Sequence, residues 1–234
     1  MMRRAKEDEM GLILDWAAAE GWNPGLDDAA AFFAADPRGF FIAEHDGEPI
    51  AAISVVNHSE EFAFLGLYLC LPKWRGRGIG YALWQHALEH AGPRTVGLDG
   101  VAAQQANYAK SGFVHAGASL RLQGPLAARP SRGIRLGKPT DLAGILSLDR
   151  AATGVTRTRF LEAWTAPTRT RQTLVLDGAT GLAGFATIRR CREGVKIGPI
   201  VAPDAASGRR LARAALDVLP SEQAIIDVPE DNAS

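Results

Sequence analysis

A glycine-rich stretch in the first half of the chain carries the residues with the clearest chemical potential. Three alternating glycines and two arginines follow an apolar run that ends at Pro72, and a helical pattern opens directly after them. The segment reads Arg75-Gly-Arg-Gly-Ile-Gly80. A strand, a glycine loop and a helix start, in this order, present backbone N–H groups to a phosphate. The sequence therefore predicts an anion-binding loop in which Arg75 and Arg77 add positive charge.

Two common glycine-loop motifs fit this stretch poorly. A dinucleotide fingerprint needs G-x-G-x-x-G, but Tyr81 stands where its last glycine should be. A Walker loop needs Gly-Lys-Ser/Thr at its end, and that sequence is missing. The plainer alternative is a tight turn with solvated arginines.

Composition narrows the function classes. The chain has 234 residues, 47% of them hydrophobic, which is enough for one large domain or two ordinary ones. Lys+Arg 26 balance Asp+Glu 26, so nucleic-acid binding as the main task is disfavoured. No apolar run reads as a signal peptide or a membrane span, so we expect a cytoplasmic protein without membrane partners. Cys70 and Cys191 show no metal or redox spacing, and no metal is expected.

The elements that must position the loop can be read from periodicity and turn residues. Helices are predicted over 7–20 and 27–35, strands over 39–44, 49–56 and 62–71, a helix from the loop to about Ala91, a strand over 95–101, a helix over 104–110 and a final hairpin through Leu122. The result is an α/β fold with a mixed sheet. The turn Trp22-Asn23-Pro24-Gly25 links the first two helices. Trp22 either plugs the core beneath this turn or walls, with Asn23, a substrate pocket.

The second half of the chain repeats the first. Asp141-Leu-Ala-Gly144 lies over Asp8-Glu-Met-Gly11, and Ile197-Gly-Pro-Ile-Val-Ala-Pro203 restates the strand that ends at Pro72. This indicates a duplication, with domains over 1–123 and 133–234 and a linker over 124–132. Opposite the glycine loop stands Ala206-Ser-Gly-Arg-Arg-Leu211, which lacks the leading arginine and two of the three glycines. The second domain is therefore expected to be a degenerate, incomplete copy without catalytic activity.

The glycine loop after Pro72 resembles the acetyl-CoA signature Arg/Gln-x-x-Gly-x-Gly/Ala of the GNAT superfamily of N-acetyltransferases. Tyr108-Ala-Lys-Ser-Gly112-Phe113 is similar to that family's Tyr-x-x-x-Gly-Phe. The Trp22 turn, Gly97-Leu-Asp-Gly100 and the degenerate second copy together resemble a bacterial subset of tandem GNAT proteins. The resemblance spans the chain and is specific over about 65–113.

The resemblance implies that the first half binds acetyl-CoA as a co-substrate. The loop would hold the diphosphate, and the edge of the preceding strand would pair with the pantetheine arm, with Gly66 marking a bulge that opens this edge. The residues implied are Tyr68, Leu69, Cys70, Arg75, Gly76, Arg77, Gly78, Ile79, Gly80 and Tyr81.

Acyl transfer to an amine also needs proton-transferring groups. Tyr108 stands at the position that the family uses for the acid that protonates the leaving thiolate. The glutamate that many relatives use as a base has no counterpart near Gly66, so Asp99 is the first choice, although it could equally brace the following turn as Asp227 would in the second half. His58 is a third candidate, more simply read as a solvated turn residue.

The function expected on these grounds is acetyl-CoA-dependent N-acetylation of a small-molecule amine or a peptide amine. The missing glutamate motivates an alternative, a non-catalytic acyl-CoA-binding regulatory protein. The second half would leave a bare strand edge near 224–228. Such an edge usually has to be covered. We expect cover by the first half or by a second copy, which makes a homodimer through the second half one possibility.

Overall fold

Two mixed β-sheets organise this computed structural model, which describes residues 1–101 and 104–232. The chain up to residue 110 contributes strands to one sheet and helices to both its faces. In chain order these elements are β1 (Met2–Arg4), α1 (Met10–Ala19), α2 (Asp28–Ala35), β2 (Phe40–His45), β3 (Glu48–Asn57), β4 (Phe62–Cys70), α3 (Ile79–Leu88), β5 (Thr95–Leu98) and α4 (Gln105–Lys110).

The rest of the chain builds the second sheet in nearly the same order. Its elements are β6 (Ser119–Gly124), β7 (Ile134–Leu136), α5 (Leu142–Thr153), α6 (Thr158–Thr165), β8 (Arg171–Asp177), β9 (Leu182–Arg190), β10 (Val195–Val201), α7 (Ala205–Val218) and β11 (Ala224–Pro229). The first sheet runs β1-β2-β3-β4-β5 and the second β7-β8-β9-β10-β11-β6. Neighbours are antiparallel except β4–β5 and β10–β11, so the predicted mixed α/β fold is confirmed.

Helices cover both faces of each sheet. Leu83, Trp84 and Ala87 of α3 are buried against one face of the first sheet, because positions one turn apart lie on the same side of a helix. Helices α1 and α2 cover the opposite face, where Met10 and Ile13 are almost fully buried. In the second half α7 packs on one face and α5 on the other. The core thus consists of layers on both sides of each sheet.

The prediction of a final hairpin in the first half is wrong. Residues 114–118 form no strand, and β6 pairs antiparallel with β11 from Gly124–Ala224 to Ser119–Pro229. The predicted cover of the strand edge near 224–228 is provided by β6, most of which lies within the first domain as predicted over 1–123. Strand periodicity reveals that 119–124 is extended but does not reveal which open edge it joins.

A pair of three-residue ion networks confirms the duplication at atomic detail. Arg3 bridges Glu9 and Glu44, each at 2.6 Å. Arg135 bridges Asp141 at 2.7 Å and Asp177 at 3.0 Å. The two networks tie the edge strands β1 and β7 to the start of the first long helix of their half and to the neighbouring strand of their sheet. The counterpart of Asp141 is therefore Glu9, one residue away from Asp8, which the sequence comparison had paired with it.

Some features can be stated only for the part of the chain that the structure describes. There, no helix is long and apolar enough to cross a membrane. No group of three or more His, Cys, Asp or Glu side chains is arranged to hold a metal ion among those residues. Both cysteines are free thiols.

Candidate functional site

The glycine loop has a backbone conformation that glycine accommodates. After a short 3₁₀ turn over Pro72–Trp74, Gly76 has φ 74° and Gly78 has φ 77°. Nothing lies within 4 Å of where a Cβ would stand at either position, so space is available. The cost of any other residue comes from the left-handed backbone, about 1–2 kcal/mol. The glycines therefore shape the loop and leave its surface open.

The helix that follows the loop has an uncapped N-terminus. Gly78 is the N-cap of α3 and offers no side chain to the amides of the first turn, which is formed by Ile79, Gly80 and Tyr81. Such amides, at the positive end of the helix dipole, attract anions. The predicted anion site is thus open in the first half.

The corresponding helix of the second half is closed by its own side chain. Asp204 caps α7, and its carboxylate accepts a hydrogen bond from the Ser207 amide at 2.7 Å. Residues 206–211 all lie inside this helix, and Leu211 is fully buried in the core. The second half has a helix where the first has a loop, and a carboxylate of its own occupies the position of an anion.

Gly80 is closely approached by a side chain, which the sequence did not indicate. A Cβ on Gly80 would stand 2.7 Å from the Tyr68 hydroxyl oxygen. The Tyr68 ring packs edge-on against Trp84, with 5.2 Å between ring centroids. Burial raises the pKa of Tyr68, so its hydroxyl remains a neutral donor beside the start of α3.

The two loop arginines are held by different partners. Arg75 donates from Nε to the Cys70 carbonyl at 2.8 Å, and its guanidinium forms an ion pair with Glu20 at the end of α1. Arg77 lies over the Trp74 ring, 4.8 Å from its centroid. Glu20 was missed by sequence reasoning, because a carboxylate at a helix end gives no signal that it reaches a loop 55 residues away.

The strand before the loop separates from its neighbour. β5 pairs with β4 only from Phe62 to Leu65, and the register between β3 and β4 shifts by one residue beyond Gly66. A bulge was predicted here, but the residue with positive φ, 46°, is Leu67. The extra residue bends β4 and leaves its last residues without a β5 partner.

Ladder geometry shows which groups face this opening. The Leu71 amide donates to the Ile50 carbonyl at 3.0 Å. Opposed pairs in an antiparallel ladder alternate between bonded and non-bonded, so the next pair, Ala51–Cys70, is non-bonded. The amide and carbonyl of Cys70 therefore point away from β3, whereas those of Leu69 point toward it. Of the amides of Leu69 and Cys70, only that of Cys70 is directed toward the opening.

Tyr108 lies beside the same tryptophan as Tyr68. Its ring stacks on Trp84 at 5.7 Å and meets Phe113 edge-on at 6.5 Å. The packing on Phe113 helps to hold the ring next to α3. Burial raises the pKa of Tyr108, so the hydroxyl keeps its proton at neutral pH.

Asp99 follows β5 directly and is exposed. Desolvation by the surrounding protein raises the pKa of the Asp99 carboxyl, and the charge of the Asp227 carboxylate raises it further. Asp227 differs from its counterpart because Arg121 of β6 donates two hydrogen bonds to it, at 2.7 and 2.9 Å. No such partner of Asp99 is found among residues 1–101 and 104–232. The bracing role of Asp227 therefore does not carry over to Asp99.

His58 lies in the turn between β3 and β4 but is not the solvated residue that its sequence context suggested. It packs between Phe62 and Phe160 of α6, with ring centroids 6.4 and 5.9 Å away. Burial, aided by the Arg157 charge, lowers the pKa of His58 to about 4. The residue is part of the contact between the halves.

The Trp22 turn is bound to the second half. The Asn23 side chain donates to the Glu193 carbonyl at 2.8 Å and accepts from the Glu193 amide at 3.1 Å. The Leu26 amide donates to the Arg190 carbonyl, and Trp22 packs in the apolar cluster of α1 and β4. Any pocket walled by this turn is therefore also walled by the β9–β10 turn, which comes from the degenerate copy.

Comparison with known proteins gives a consistent result for both halves. Residues 8–113 match the family model described as acetyltransferase (GNAT) family, and residues 145–234 match the one described as acetyltransferase (GNAT) domain. The holothin acyltransferase of Pseudoalteromonas sp. (strain SANK 73390) is 34% identical over 228 residues, which are 96% of this chain and 77% of that protein.

Solved structures show the same architecture. A Pyrococcus horikoshii protein assigned as an acetyltransferase superimposes with a TM-score of 0.74 at 22% identity, covering 97% of this chain and 79% of that one. A tandem GNAT protein from the clavulanic acid biosynthesis pathway superimposes with a TM-score of 0.65 at 19% identity, covering 99% and 90%. At these identities the likeness concerns the fold.

Proposed function

This chain belongs to the GNAT family of acyltransferases, and we propose that it transfers an acetyl group from acetyl-CoA directly to the amine of a small molecule. Membership of an acyltransferase family supports the enzyme over the non-catalytic regulator. We place the reaction in the first half, because only there is the helix N-terminus open to an anion. A peptide amine is the other acceptor class, and a cytoplasmic location accords with the two free thiols.

The geometry that carries the proposal is the uncapped start of α3 next to the unpaired end of β4. The amides of the glycine loop and the first turn of α3 fit the diphosphate of CoA, which supplies the activated thioester when bound. The Cys70 amide faces the gap beyond Leu65, where an extended arm can pair as a strand would. Arg75 exchanges Glu20 for the diphosphate in this proposal.

The reaction then requires a base, a donor to the thioester oxygen and an acid, and we assign each of these roles to one residue. Asp99, with its raised pKa, accepts the proton that the amine must lose. The Cys70 amide donates to the thioester oxygen as negative charge develops. The Tyr108 hydroxyl, kept protonated by its raised pKa, donates to the departing sulfur.

Calorimetric titration with acetyl-CoA tests the binding half of the proposal. We expect saturable binding by the wild-type protein, and a loss of at least about tenfold in affinity for Arg75→Glu, because reversal of one charge beside a diphosphate costs more than about 1.4 kcal/mol. The proposal fails if the wild-type protein does not bind acetyl-CoA, or if the variant binds it equally well.

Release of free CoA thiol across an amine panel tests the catalytic half. Holothin belongs in the panel, because the relative named above is a holothin acyltransferase. Tyr108→Phe retains the ring that stacks on Trp84 and removes only the hydroxyl. We expect kcat to fall by about a hundredfold, the lower end of general-acid effects, with acetyl-CoA affinity unchanged. Equal turnover by the variant would assign Tyr108 to packing alone.

A further inference from the structure

A buried lysine of the second half faces the first half with most of its hydrogen-bonding capacity unused. Lys196 lies on β10 between Val195 and Ile197, both of which are in the core of the second half. Because side chains alternate along a strand, Lys196 points to the opposite face, which the first half covers. It is only 8% exposed. Its ammonium donates to the Trp22 carbonyl at 2.9 Å, and no other partner is found within 1–101 and 104–232.

Burying this lysine would cost free energy of folding if its only role were to hold the Trp22 turn. An ammonium has three donors, and a buried charge with one neutral partner keeps little of its hydration energy. Its charged neighbours include two cations, Arg121 and Arg189, which further disfavour the charge, and Asp227, which favours it. A neutral donor would hold the Trp22 carbonyl at lower cost. The remaining ammonium donors are therefore the part of this arrangement that packing does not explain.

Two contacts connect Lys196 to the residues that flank the gap between β4 and β5. Leu67, at the bulge that opens the gap, shares an apolar cluster with Trp22 and with Phe160 of α6. Trp22 is the residue whose carbonyl Lys196 binds. On the other side, Asp227 lies within electrostatic reach of both Lys196 and Asp99. Asp227 thus links Lys196 electrostatically to the residue proposed as the base.

Building on the proposed function, we infer that Lys196 recognises the acceptor by donating a hydrogen bond to an oxygen of it. The acceptor class is an amine that also carries a carbonyl oxygen, with the amine directed to Asp99 and the carbonyl to Lys196. The second half thereby contributes to the acceptor site although its own anion site is closed by Asp204. A plain alkylamine lacks the oxygen and leaves the ammonium unsatisfied.

Acceptor kinetics with matched amines test this inference. A short homologous series of ω-amino amides is compared with alkylamines of the same length, with CoA thiol release as the readout, each at a pH adjusted to its own amine pKa. In the wild-type protein we expect the amide to have a lower KM than the alkylamine of the same length, at the chain length that spans the distance from Asp99 to Lys196. In Lys196→Met, the KM of that amide rises by about tenfold to a hundredfold, the range for a hydrogen bond to a charged group, whereas the KM of the alkylamine is unchanged.

A matched control separates recognition from tethering. Arg192, in the same β9–β10 turn, forms an exposed ion pair with Asp15 of the first half, so Arg192→Met also removes one cation and one contact between the halves. We expect it to leave both KM values unchanged. Lys196→Gln, which retains a donor, should restore part of the preference for the amide.

The outcomes distinguish this inference from the proposed function. No thiol release with any amine would defeat the proposed function itself. Turnover without any preference of the wild-type protein for amides would overturn the role of Lys196, even if no Lys196 variant folds. Equal rises in KM for amide and alkylamine in Lys196→Met would also overturn it, because they would show that the lysine only holds the Trp22 turn.

Discussion

At the level of single residues, the three loop glycines are subject to two different constraints, backbone conformation at Gly76 and Gly78 and a side-chain neighbour at Gly80. Gly76 and Gly78 were assigned to a loop that approaches a phosphate, and their positive φ angles support a backbone requirement. Gly80 was assigned to the same phosphate-binding loop, yet the group that a side chain at this position would meet first is the Tyr68 hydroxyl. Glu20 was not found at all. A motif records residue types along the chain, whereas these two contacts depend on groups that only the folded structure brings together.

Alanine substitutions at two glycines can distinguish the effect of backbone strain on stability from an effect on ligand binding. Gly78→Ala and Gly154→Ala both place an alanine at a φ above 70° with open space around the Cβ. Each should lower the free energy of unfolding by about 1 kcal/mol. Only Gly78→Ala should also reduce acetyl-CoA affinity, by about tenfold or more, because only Gly78 sets the amides at the start of α3. Urea titration and calorimetry measure the two effects, and equal affinity in both variants would contradict the assignment of the loop.

At the level of elements, the strands and helices of both halves were largely predictable, but the partner of one strand was not. The position of the β4 bulge followed from Gly66, although Leu67 adopts the left-handed conformation. The segment 119–124 was correctly read as extended and wrongly placed in a hairpin of the first sheet. Local patterns determine conformation, whereas pairing depends on which sheet edge is open after the rest has folded.

The contact between the β3–β4 turn and α6 predicts acid sensitivity. His58 has a folded-state pKa of about 4, below its ordinary value, because burial against Phe160 and the Arg157 charge disfavour the cation, with Asp36 and Asp149 opposing them. Unfolding lets His58 bind a proton near its ordinary pKa of about 6.5. The stability that the neutral histidine contributes is therefore present near pH 7 and is lost as pH falls toward 4.

Urea titrations at two pH values measure this contribution. Between pH 7 and pH 5 the wild-type protein should lose about 1–2 kcal/mol through His58. His58→Gln should show a correspondingly smaller dependence on pH, whereas His115→Gln, which removes an exposed histidine, should behave as the wild type does. An unchanged pH dependence in His58→Gln would mean that the imidazole is hydrated and titrates normally.

At the level of the whole molecule, the duplication was visible in the sequence but the way its halves join was not. The interface is built around Asp28, which is 1% exposed, at the start of α2. Arg189 of β9 donates to its carboxylate at 3.2 Å, and Arg171 of β8 lies 3.7 Å away. Both guanidinium groups lie over the ring of Trp164, which itself stacks on Phe32 of α2. Neither the two arginines nor Asp28 belongs to a motif, so no pattern in the sequence marks them.

This buried cluster predicts that the two halves unfold as one unit. Asp28→Asn keeps the shape of the side chain but leaves two arginines without this counter-ion in a buried interface, which should cost about 3 kcal/mol or more. Asp15→Asn breaks another ion pair between the halves, with Arg192, but this pair is exposed and its loss should cost less than about 1 kcal/mol.

Thermal unfolding of the wild-type protein should be a single transition. In Asp28→Asn the midpoint should fall and the transition should broaden or divide, because each half has a core of its own. If both variants lost the same small amount, the halves would be held together by apolar packing alone.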